Sequence, residues 1–133
     1  MPAIAVLDTS VIVRYLTRDD PAKADASRAY IAGQADGALL FPDVAMAELG
    51  FVLLRVYRWG IENVARALRA VVSHPAIDVP EGGIWLDVAD DLEQGLGLVD
   101  AYLMRVAQQA AAGTLVTFDS SMRAVPGVVC REP

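Results

Sequence analysis

Four carboxylates stand where a chain of alternating strands and helices could put them to chemical use: Asp8, Glu48, Asp100 and Asp119. Open parallel sheets bind ligands beyond the carboxyl ends of their strands, so the residue after each apolar run is the first to inspect. Asp8 directly follows the apolar run 3–7, and Asp119 directly follows the run 114–118. Glu48 lies in segment 44–56, which is otherwise apolar until Arg55, and a carboxylate turned toward a core is costly unless paired or bound to a metal. Asp100 opens a helical stretch, with apolar neighbours on both sides in GLGLVDAYL. Singly, each acid has a structural explanation: a helix cap for Asp8 or Asp119, a helix-rim position for Glu48, a macrodipole partner for Asp100. Brought from four elements to one edge, they suit hard divalent cations such as Mg2+ or Mn2+, which take oxygen ligands and keep waters and phosphates in their shell. The chemistry of such a site is attack of an activated water on a phosphodiester. Like charges held close together are also expected to raise at least one pKa in the metal-free protein.

Periodicity supplies the elements that must hold these acids. Five short apolar runs, 3–7, 38–41, 76–79, 114–118 and 128–130, have the character of buried parallel strands. Between them, helical spacing predicts helices over 10–16, 21–32, 43–57, 61–73, 84–94 and 99–112, with Asp43 at an N-cap position and Gly60 separating the third from the fourth. Strands that alternate with helices predict one α/β domain over 1–133, a three-layer α/β/α sandwich around a parallel sheet of about five strands.

The 133 residues and their 55% apolar content are enough for one core, and 21% charged residues are too few for a disordered chain. A net charge of −6 argues against coating nucleic acid or an anionic membrane by bulk attraction, but not against binding through metal ions. The first ten residues, MPAIAVLDTS, do not look like an export leader, and the longest uncharged run, 106–118, is shorter than the ~20 apolar residues of a membrane span. A cytoplasmic protein without a membrane anchor is expected. One histidine, His74, and one cysteine, Cys130, give no zinc set, no Cys-His dyad and no Ser-His-Asp triad. The apolar helices at 43–57 and 61–73 offer more apolar surface than a small monomer buries, so a homodimer is expected.

Segments LDTSVIVRYL, AELGFVLLRVYRWG, GLGLVDAYL and LVTFDSSM resemble, in order and spacing, the successive motifs of PIN-domain ribonucleases, in particular the VapC-type toxins of toxin–antitoxin pairs. The resemblance spans residues 4 to about 129. It implies a strand order of 3-2-1-4-5, metal-dependent RNA hydrolysis with Mg2+ (Mn2+ substituting), and a cognate antitoxin protein as partner. Asp8, Glu48, Asp100 and Asp119 match the four acids of the family pattern, as metal-holding and catalytic residues. Ser10 matches a small polar position near the metal and Thr117 the threonine that precedes the last acid; together with Arg14 they are the expected substrate contacts. Two positions depart from the pattern: Ser10 replaces the commoner asparagine, and Ser121 stands where relatives often carry a further acid.

Ten of the eleven basic residues are arginines, which suits bidentate phosphate contact and equally a GC-rich coding bias. Arg14 follows Asp8 on its helix and could reach a phosphate; Arg18, Arg28 and Arg123 are secondary candidates. Two rival functions stay open. An aspartyl-phosphate phosphotransfer domain also places an Asp after its first strand, although Ser10 stands where a phosphatase of that kind wants an acid. A non-catalytic module could keep the fold and bind RNA or protein.

Overall fold

Four of the five apolar runs form strands shorter than the run, and the fifth forms a three-residue strand shifted by one position. The computed structural model describes residues 2–111 and 113–133. Its strands are β1 (Ala5–Val6), β2 (Leu39–Leu40), β3 (Ile77–Asp78), β4 (Thr114–Val116) and β5 (Val129–Arg131). All pairs are parallel: Ala5 faces Leu39, Leu39 faces Ile77, and Thr114 faces Val129. The expected order 3-2-1-4-5 therefore appears as two pieces, β3-β2-β1 and β4-β5, and not as one five-stranded sheet. The core explains the division. Ala5, Leu7, Leu39, Phe41 and Ile77 pack into one apolar cluster, whereas Leu115 and Cys130 pack on a second, formed by Met104, Ala107, Val125 and Val128. At the gap between the two ladders, Val6 and Val116 are 66% and 58% exposed, so no apolar contact draws β1 and β4 together.

Six α-helices follow the predicted segments closely among the described residues: α1 (Thr9–Leu16), α2 (Pro21–Ala32), α3 (Asp43–Phe51), α4 (Ile61–Ser73), α5 (Gly82–Glu93) and α6 (Leu98–Gln109). The predicted helix 43–57 changes to π-helical winding over Val52–Val56, which turns Val56 out to solvent. Asp43 does not cap α3, whose N-cap is Pro42. Its carboxylate accepts instead from the Glu81 amide at 3.1 Å and the Trp85 indole Nε1 at 2.9 Å, tying α3 to α5.

The helices bury one face of the β1–β3 ladder. On the other face Ile4 and Val6 are 74% and 66% exposed and Asp78 is exposed, so no second helical layer covers those positions and the three-layer expectation is not met there. No helix among the described residues is long and apolar enough to cross a membrane.

Two features fix the helices that carry acids. A Cβ at Gly50 would stand 2.6 Å from Leu98 Cδ2, so a larger residue there would displace the Leu98 side chain that packs the start of α6, with Asp100, against α3, with Glu48. Along α6, Leu98 and Ala101 belong to the first core cluster and Met104 and Ala107 to the second, so this helix bridges the two ladders.

Candidate functional site

Asp8 is the N-cap of α1: its Oδ2 accepts from the Ser10 amide at 2.9 Å. That bond and the Ser10 hydroxyl hold its carboxyl below the ordinary aspartate range. Asp119 repeats the arrangement after β4. Its Oδ1 accepts from the Ser121 amide at 2.9 Å and from the Ser121 hydroxyl at 2.6 Å, which likewise depresses its pKa. Both shifts run opposite to the rise expected from crowded like charges. Serine donors two residues on stabilise each carboxylate, and neither group is buried. Both Ser121 bonds to Asp119 fall on its Oδ1.

Thr117 Oγ1 accepts from the Asp119 amide at 3.0 Å, while its own amide donates to the Arg131 carbonyl at 2.9 Å. It shapes the turn that presents Asp119. Ser121, noted in the sequence only as a missing acid, is the residue that orients this carboxylate. The D-x-S spacing shared by Asp8-Thr9-Ser10 and Asp119-Ser120-Ser121 was the available signal. Ser121→Ala is expected to raise the Asp119 pKa toward its ordinary value in an NMR titration of the side-chain carboxyl, and an unshifted titration would contradict the assignment. The sign is fixed by linkage: a depressed native pKa lends stability at neutral pH that is lost as pH falls through it.

Asp100 lies in the first turn of α6, half-buried, and lines a groove with Gly97 and Ser121. Ser121, which orients Asp119, lines the groove that holds Asp100. The grooves described for Asp100 and Asp119 are not lined by Asp8 or Glu48. Glu48 is exposed on α3, so the cost of burying a carboxylate, which singled it out in the sequence, does not arise. Arg14 is paired with Asp19 at 3.1 Å, and Asp19 also accepts from Thr17 and Tyr57. His74 is structural, its Nδ1 accepting from the Ala76 amide at 3.1 Å.

Among the described residues five acids are held in ion pairs, and the four candidates belong to the twelve that are not. Asp19, Asp20, Asp90, Asp91 and Glu93 each lie within ion-pair distance of a basic side chain. Asp8, Glu48, Asp100 and Asp119 do not, among the described residues. The pattern of the PIN domain matches residues 5–128. The chain belongs to the PIN domain family. PIN domains are generally nucleases and generally use divalent metal ions such as Mg2+. A comparison with curated proteins finds no match.

The donor chemistry of this PIN domain fits a hard divalent ion: carboxylate oxygens only, with no cation already compensating them. The spacing is open, because no three acids among the described residues stand close enough to hold one ion together. That suits Mg2+, which is often bound through one or two carboxylates while waters and substrate phosphates complete its octahedron.

Proposed function

We propose that this PIN domain is a metal-dependent endoribonuclease of the toxin type, held in check by a cognate antitoxin protein and acting as a homodimer built on the single domain 1–133. The observation that carries the catalytic part is the repeated D-x-S turn that presents Asp8 and Asp119 at strand ends and holds both carboxylates ionised. Asp100 and Asp119 would hold the ion, with Asp8 and Glu48 joining as substrate binds. Such an ion supplies a nucleophilic water at neutral pH and offsets charge on the scissile phosphate. Ser10 and Ser121 keep the aspartates ionised and aimed, and Thr117 fixes the backbone from which Asp119 projects. Exposed apolar side chains at Val44, Phe51, Val56 and Ile61 support a self-association surface on the α3–α4 segment. The toxin and antitoxin parts rest on the motif resemblance.

One observation favours a second reading. The open spacing of the acids would also suit a module that binds RNA without cutting it. Incubating the purified protein with total RNA, with Mg2+ or Mn2+ and with excess chelator, decides between the two. Metal-dependent cuts with 5′-phosphate and 3′-hydroxyl ends are expected. Full activity in chelator, or 2′,3′-cyclic phosphate ends, rejects the hydrolytic mechanism, and binding without cleavage establishes the second reading.

A further inference from the structure

Three grooves run side by side past the acids, and each contains one arginine. The first, of about 430 Å³, holds Arg55 with Asp100; the second, of about 160 Å³, holds Arg123 with Asp100 and Ser121; the third, of about 280 Å³, holds Arg131 with Asp119. They are neighbours that share lining residues. Leu96, Gly97 and Asp100 line both the first and the second, and Met122 lines both the second and the third.

None of the three arginines has a carboxylate within ion-pair distance among the described residues, although each shares its groove with one. Arg14, Lys23, Arg69 and Arg105 have such partners, whereas Arg18, Arg28, Arg58 and Arg66, which line none of these three grooves, have none either among the described residues. Arg123 is also held in place: its Nη2 donates to the Gln94 carbonyl at 2.9 Å. The turn is shaped for this approach. Gly95 has φ +95°, and a Cβ there would stand 3.1 Å from the same Nη2. Cations and carboxylates that line one row of grooves without pairing leave the acids free for metal and the guanidiniums free for an anion. A protein of net charge −6 repels a polyanion at long range, so any phosphate held beside these acids needs local cations.

We infer that Arg55, Arg123 and Arg131 hold successive backbone phosphates of a single RNA strand threaded along this channel. The identity of the strand as RNA rests on the function proposed above; the channel itself does not. A planar guanidinium suits bidentate phosphate contact, and these contacts fix register without reading bases.

The test is fluorescence anisotropy with a 5′-labelled 12-nucleotide RNA at several salt concentrations with Mn2+ present, in an Asp8→Asn background so that the probe stays intact. Glutamine at 55, 123 and 131 together is expected to weaken binding at least tenfold and to flatten the salt dependence by about 2, at ~0.7 per phosphate of a single strand. Arg66→Gln, in a cleft with Leu16 and Trp59 that contains none of the acids, is expected to change neither. Arg123→Gln alone keeps a donor for the Gln94 carbonyl while removing the charge. If Arg123 only clamps the turn, this variant binds like its parent, and its place in the channel is refuted. All three sites are on the surface, and a thermal melt confirms that the triple variant folds; if it does not, the three single variants carry the test. Unchanged affinity and slope in the glutamine variants, or no binding by the parent, overturns the inference. Failure of the proposed function is distinguishable: a wild-type protein that binds RNA with an arginine-dependent salt slope but never cuts it retains the channel and loses the hydrolysis.

Discussion

Asp119→Asn is expected to lower RNA cleavage by about 100-fold or more while lowering the melting temperature of the metal-free protein only slightly, through loss of the charge that Ser121 stabilises. Asparagine keeps an acceptor for the Ser121 amide and hydroxyl, so the turn after β4 survives. What it removes is the negative charge on the oxygen that Ser121 does not occupy. Asp100→Asn and Asp8→Asn are expected to behave alike, because these groups also lack a basic partner whose loss would cost stability. The second readout is the rise in melting temperature on adding Mn2+, which measures ion binding to the native state alone and should shrink in each variant. Destabilisation with retained cleavage would make these residues structural and would remove the metal site from this edge of the fold.

Much of this arrangement was legible before any coordinate. Apolar runs marked all five strands, and three- and four-residue spacing marked the helices to within two or three residues at most ends, because both signals record burial along a single element. The sequence was least informative where burial depends on a partner far along the chain. Whether β1 pairs with β4 depends on which apolar cluster each strand joins, and α6 serves both clusters with one uninterrupted pattern. Glu48 looked inward because its neighbours Met46 and Leu49 are buried, yet its own position on the helix faces out. Asp43 looked like a cap because it begins a helix, but its partners Glu81 and Trp85 come from α5. Repulsion among the acids was argued from their number, whereas the pKa of Asp8 and of Asp119 is set by a serine two residues away.

Asp91 is the acid that sequence reasoning passed over, and its replacement carries the largest stability change expected in the chain. It is 5% exposed, and Arg105 grips it with two bonds, Nε to Oδ2 at 2.7 Å and Nη2 to Oδ1 at 2.6 Å. The pair locks α5 to α6 through groups that are both largely removed from water. Removing one partner of a buried pair leaves an uncompensated charge, so Asp91→Ala is expected to cost about 3–5 kcal/mol. A domain of this size has only ~5–15 kcal/mol in total, and the melting temperature should fall by about 10 °C or more. Leucine at 91 together with methionine at 105 should recover most of the loss, because an apolar pair of similar volume needs no charge compensation. The charge state of the site is untouched by that double change, so Mn2+-dependent cleavage should return with the fold. If Asp91→Ala melts like the wild type, the pair is no anchor; if the double variant is stable but inactive, Asp91 belongs with the four unpaired acids. The physical distinction is visible within 10 residues: Asp91 is buried and paired and holds the helices, whereas Asp100 is half-exposed and unpaired and remains available to a cation.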